Sequence, residues 1–217
     1  MKSKHLIIAS IVLFGSLWGL AELGIGEAMW AKSIPRAPLL TAIGVLFLVL
    51  GRRVWASPGS SLVLTLVASA FKFLQHPFWG CKVAAVLMVG ALFETGFSLI
   101  EARQRSADPS VARASGVSVV IAAPLLTLVS FVAFSFFARD VLGNPYWAMQ
   151  DKFNEYTFVQ GPIAAVLALP AAWAGLRLAS VLESGSRTWN AANWLVYRIA
   201  AALSGLAGIV TALALRY

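Results

Sequence analysis

Four side chains able to do chemistry sit inside apolar runs: Glu22, Lys72, His76 and Glu94. An ionisable group deep in an apolar span is costly and needs a physical reason. Glu22 lies within Gly15-Ser16-Leu17-Trp18-Gly19-Leu20-Ala21-Glu22-Leu23-Gly24-Ile25-Gly26. At helical spacing Gly15, Gly19, Glu22 and Gly26 share one face. The three glycines open a groove in which another helix approaches closely, the membrane small-xxx-small pattern. Lys72 belongs to a polar stripe of Ser61, Thr65, Ser69, Lys72 and His76. At the helical rise Lys72 lies roughly 18 Å from the inner end of its helix and Glu22 roughly 24 Å from the inner end of its own, against about 10 Å for Glu94. Depth therefore matches Lys72 to Glu22. Such a pair either fixes the packing of the first and third helices or takes part directly in binding a ligand or partner. Glu94 shares a face with Gly90 and Ser98 and is expected to reach the inner interface and pair with Arg103 or Arg105.

Other chemistries find little support. His76 and Cys81 come close in His76-Pro77-Phe78-Trp79-Gly80-Cys81-Lys82. One His and one Cys fall short of the four ligands, or three and a water, of a zinc site. His76 alone could serve as an axial haem ligand, but the attachment motif of c-type haem is absent. The segment reads as a turn anchored by Trp79, with no metal or cofactor expected. The polar stretch from Asp140 to Gln160 holds Asn144, Tyr146, Trp147, Asp151, Glu155 and Tyr156. This mixture of aromatic and hydrogen-bonding groups suits a lid over a small polar ligand. It equally suits an interfacial amphipathic helix. The chain shows no phosphate-cradling glycine loop, Ser/His/Asp set or metalloprotease helix, so an enzyme is the weaker class.

The elements that must position these groups are membrane helices. The 217 residues are 59% hydrophobic and 12% charged, too few polar groups to cover a water-soluble globule. The spacing predicts helices over 6–29, 38–51, 60–76, 80–101, 115–138, 161–182 and 191–215. The expected fold is an all-α, compact polytopic bundle of six to seven transmembrane helices, the second and third short, forming one domain over 1–217. Ala164, Ala168 and Ala172, and Ala171, Gly175 and Ala179, read as packing faces on the sixth helix. The first run continues well past a signal-peptide core and reads as a retained helix. The net charge of +8 resides in short loops, as the positive-inside rule produces, and does not point to nucleic acid. Lys2, Lys4, Arg52, Arg53, Arg103, Arg105, Arg113 and Arg187 then mark the cytoplasmic side, with the N-terminus inside. Trp30, Trp79 and Trp147 on one side and Trp55, Trp189 and Trp194 on the other suit interfacial belts.

The small size, the short second and third helices and the small-residue face at Gly15 and Gly19 resemble the substrate-binding S-components of energy-coupling factor transporters. That resemblance implies a compact bundle whose first helix docks a membrane coupling subunit served by ATPases. It also implies a small, vitamin-like ligand held near the outer side, with Asp140–Gln160 as lid by position. On this reading Gly15, Gly19, Glu22 and Gly26 serve partner docking in a bacterial-type inner membrane. A seventh helix, and Glu22 within the docking face, depart from the family pattern. Two other classes stay open: an accessory subunit of a larger membrane complex, and an intramembrane enzyme or cofactor protein using Glu22, Lys72, Glu94 or His76.

Overall fold

The computed structural model describes residues 4–31, 35–55, 57–75, 80–107 and 115–185. His76, Trp79 and the helix expected over 191–215 lie outside the described residues, as do Lys2, Lys32, Arg113, Arg187, Trp189 and Trp194. Among the described residues every regular element is helical. These are α1 (Lys4–Ala31), α2 (Ala37–Trp55), α3 (Ser60–Ala70), α4 (Gly80–Ala107), α5 (Gly116–Phe136), α6 (Pro145–Ala148), α7 (Gln150–Asn154) and α8 (Gly161–Gly185). Among the described residues five stretches are long and apolar enough to cross a membrane: Ile8–Gly26, Ala37–Trp55, Gly80–Ala107, Gly116–Val141 and Gln150–Leu182. The fold is an all-α polytopic bundle.

The elements begin and end where local chemistry dictates. α2 runs four residues beyond its expected end and closes at Trp55, before Ser57-Pro58-Gly59 turns the chain. At 19 residues it reaches spanning length, so of the expected short pair only α3 is short. Gly59 adopts φ 86°, a left-handed conformation open to glycine at little steric cost, and starts α3 directly. α3 then tightens into a 3-10 turn over Phe71–Leu74. The Ser115 hydroxyl caps α5 by accepting from the Ser118 amide at 3.1 Å. Gln104 staples α4 to that cap, donating to Ser118 Oγ at 2.8 Å and accepting from the Ser115 amide at 2.9 Å.

The polar stretch between Arg139 and Gln160, which suited a lid or an interfacial amphipathic helix, is mostly helical. α5 continues as a π turn over Phe137–Val141, and α7 joins α8 through a second over Glu155–Gln160. Between them the chain folds back through α6 and α7 and buries Trp147, Phe153 and Thr157. Arg139 lies over the Phe136 and Phe153 rings, 4.9 and 4.5 Å from their centroids, and pairs with Asp140 at 2.7 Å.

Six helices close a ring in the order α1, α3, α4, α5, α8, α2. α2 makes its widest contact with α8, whose buried Ala168, Ala172 and Ala179 join the same core cluster as Val45, Leu48 and Val49; Ala164 is buried as well. A Cβ on Gly175 would stand 2.7 Å from the Leu46 carbonyl, so only glycine allows this approach. Val45, Leu48 and Val49 of α2 meet Phe14, Trp18, Phe93 and Phe97 in the core. Trp55, expected in an interfacial belt, is buried here with its ring 5.8 Å from Phe14. Trp147 is buried as well, 5.2 Å edge-on to Phe134.

The glycine groove of α1 has an occupant from the same chain. A Cβ on Gly15 would stand 2.7 Å from Val67 Cβ and 3.0 Å from the Leu64 carbonyl. One on Gly19 would collide with the Phe71 ring, and one on Gly26 would stand 3.3 Å from Leu40. Gly24, on the other side of α1, faces nothing within 4 Å. Gly19→Leu is therefore expected to lower stability by about 1–3 kcal/mol or more through overpacking. Gly24→Leu should stay within about 0.5 kcal/mol of wild type. Thermal unfolding of the two variants in the same detergent checks this difference.

Candidate functional site: two buried charge centres

Two centres of buried charge lie toward opposite ends of the bundle, both built against α3. In the first, Glu22 projects from the glycine face of α1 toward Lys72 in the 3-10 turn, and the two form a buried ion pair. The second Glu22 carboxylate oxygen accepts from the Trp18 indole N–H at 3.2 Å, one helical turn earlier. Just past the 3-10 turn the chain becomes extended at Gln75, whose amide nitrogen donates to the Glu22 backbone carbonyl at 3.1 Å. Gln75 is 5% exposed, and its side-chain oxygen is buried with no hydrogen-bond partner. A Cβ at Gly26 would stand 4.0 Å from that amide nitrogen, an ordinary van der Waals contact.

A separate aromatic cluster joins α5, α6 and the π turn before α8. Tyr156 stacks on Phe131 at 4.6 Å and meets the Trp147 ring edge-on at 4.7 Å. Cys81, in the first turn of α4, packs with Trp147, Phe134 and Ala138. Of the six residues expected as a lid, Trp147 and Tyr156 alone turn into the bundle. Tyr146, Asp151 and Glu155 are exposed, and Glu155 is engaged by Gln160 at 3.1 Å and Lys152 at 3.5 Å. Asn144 caps α6, accepting from the Tyr146 amide at 3.0 Å.

The second centre corrects the expectation for Glu94. Its partner is Arg52 at 2.8 Å, not Arg103 or Arg105. Because α2 extends to Trp55, Arg52 lies inside the helix and is buried rather than in a loop. Its guanidinium grips Glu101 through Nε at 3.0 Å and Nη2 at 2.7 Å. The remaining N–H groups reach Glu94, the Ser57 carbonyl at 2.9 Å and Ser98 Oγ at 3.3 Å. All five guanidinium donors are thus used. Glu94 also accepts from the backbone amides of Gly59 at 2.8 Å and Ser61 at 3.0 Å. Arg105 contacts Glu101 instead, at 3.3 Å. A cavity of about 10 Å³ between Arg52, Glu101, Val49 and Phe97 holds one water at most.

Chemically the centres differ. The Arg52 guanidinium is saturated and can lock helices together, while the Ser60 and Ser61 hydroxyls at the start of α3 are buried without a hydrogen-bond partner. The Glu22 centre retains an orphaned acceptor, and Glu22 takes up one of the three donors of the Lys72 ammonium. Among the described residues no cluster of His, Cys, Asp and Glu suits a metal ion. Sequence reasoning passed over Arg52, Glu101, Trp18 and Gln75. Two of these leave a spacing signal: Trp18 stands four residues before Glu22, and Gln75 three residues after Lys72.

The fold and these buried centres define an integral membrane protein of the helical-bundle class. No protein-family model, curated protein or solved structure matches the chain.

The Glu22–Lys72 pair generates a prediction by double-mutant cycle. Removing one partner of a buried pair leaves an uncompensated charge and costs about 3–5 kcal/mol, whereas replacing both is often near neutral. Lys72→Met alone should therefore lower thermal stability far more than Glu22→Gln/Lys72→Met together. Equal losses in the single and double variants would show that the pair is not coupled.

Proposed function

We propose that this chain is the membrane-embedded, small-molecule-binding component of an uptake transporter, working with separate coupling and ATPase subunits. One observation carries the reading: the Glu22–Lys72–Gln75 centre keeps a buried, unpartnered acceptor together with an ammonium that has donors to spare, beside the Trp18 indole. Unsatisfied buried polar groups are rare, and binding sites are one place where they persist. Convergent polar groups beside aromatic rings are the usual furniture of small-molecule sites.

The rest of the reading rests on sequence. Without a phosphate-cradling glycine loop in this sequence, energy comes from separate ATPases. The distribution of Lys and Arg favours a cytoplasmic N-terminus in a bacterial-type inner membrane. In that orientation the Glu22 centre lies toward the outer face, where an uptake protein meets its substrate. Since α3 fills the groove at Gly15 and Gly19, the coupling subunit in this reading docks elsewhere on the bundle.

Extraction of the native protein in mild detergent, followed by mass spectrometry of everything that co-purifies, tests the proposal. An ATPase pair with a polytopic coupling subunit is the expected result. Stoichiometric recovery with unrelated membrane subunits would replace the reading with that of an accessory chain. Recovery alone would contradict a dependence on coupling subunits.

A further inference from the structure

We infer that the Glu22 centre recognises an uncharged ligand through an amide-type edge, a hydrogen-bond donor beside an acceptor, as in a carboxamide, lactam or ureide. The inference rests on the small-molecule reading above and names the chemistry of its ligand. The bond from Gln75 Nε2 to the Glu22 carbonyl at 3.1 Å fixes which way the amide points, so the orphaned atom is an acceptor. Its main chain is held too, with the Gln75 amide donating to the Lys72 carbonyl at 3.2 Å. At 5% exposure the Gln75 side chain is buried, so the acceptor is costly unless a guest supplies the donor.

Charge narrows the class further. The Glu22 carboxylate is occupied by the Trp18 indole and by Lys72, and the two charges cancel. A carboxylate or phosphate guest brings only acceptors, leaves Gln75 unpaired and adds an anion beside Glu22. A cationic amine satisfies Gln75 but faces the Lys72 ammonium. A neutral guest that donates to Gln75 Oε1 and accepts from a further N–H of Lys72 meets neither conflict. The Trp18 indole, bonded to Glu22 at 3.2 Å, is an aromatic ring at this centre and favours a planar, ring-bearing ligand over a flexible chain.

Benzamide and N,N-dimethylbenzamide form a matched pair of probes, equal in ring and carbonyl but differing in the N–H donor. Their affinities for the purified full chain in lipid nanodiscs are read by ligand-observed NMR. Benzamide is expected to bind at least about tenfold more tightly to the wild type, since a site built to hydrogen-bond a donor rejects the analogue that lacks it. In Gln75→Met, which keeps the volume and loses the acceptor, that ratio should fall to about one. If Gln75→Met does not fold, Gln75→Asn, which retracts the acceptor, should shrink the ratio. Equal binding of both probes by the wild type, a ratio that survives in the variants, or no benzamide binding would each overturn the inference. Mass spectrometry of small molecules extracted from the same preparation separates this outcome from failure of the broader reading. A bound molecule without an N–H donor overturns the amide class and leaves small-molecule capture standing. No bound molecule and no probe binding overturn both.

Discussion

The short helix α3 is held at both ends by carboxylates from its neighbours, and the rest of the bundle is arranged around that constraint. With its 3-10 turn it covers Ser60–Leu74, roughly 22 Å at the helical rise, too short to carry its ends out to water on both sides. Helix ends expose unpaired backbone groups, which a hydrocarbon environment cannot satisfy. Glu94 of α4 resolves one end, accepting from the amides of Gly59 and Ser61 where the helix dipole favours negative charge. Glu22 of α1 anchors the other end, binding Lys72 while its backbone carbonyl receives Gln75. Gly15 and Gly19 of α1 and Gly90 of α4 then let α3 approach both partners closely, with Thr65 seated against Gly90. The charges fix the axial position and the glycines fix the distance.

The two anchors differ in the groups they use and in those they leave unpaired. Arg52 spends every donor on Glu94, Glu101, Ser57 and Ser98, which ties α2 and α4 to the start of α3. A fully bonded buried ionic cluster contributes more to register than to net stability, because desolvation offsets most of its attraction. The Glu22 anchor has the same kind of ion pair, leaves the Gln75 Oε1 acceptor unmatched and keeps further donors on Lys72, whereas the start of α3 leaves the Ser60 and Ser61 hydroxyls unmatched.

How far the sequence revealed this depends on the kind of physics involved. The join between Glu22 and Lys72 was legible because helical rise alone sets their depths. The glycine face was legible as a packing surface, but not its occupant, since close helix approach obeys the same sterics within a chain and between chains. The partner of Glu94 was hidden because Gly51-Arg52-Arg53 looks like a helix end, while the helix continues to Trp55 and carries Arg52 inside. The fold of residues 137–160 was hidden for another reason. The chain turns extended at Met149 between α6 and α7, so Trp147 and Phe153 share no continuous helical period and their common burial leaves no pattern in the sequence. Polar composition there suited a lid and an interfacial helix equally.

Amide hydrogen exchange along α3, compared among wild type, Glu22→Gln and Glu94→Gln in the same detergent, tests the central claim most directly. If the two carboxylates pin opposite ends, Glu94→Gln speeds exchange chiefly over 59–63 and Glu22→Gln chiefly over 69–75. Exchange in α5 and α8 should stay near wild type in both variants. Uniform acceleration across the whole bundle, or no change in α3 in either variant, would contradict it.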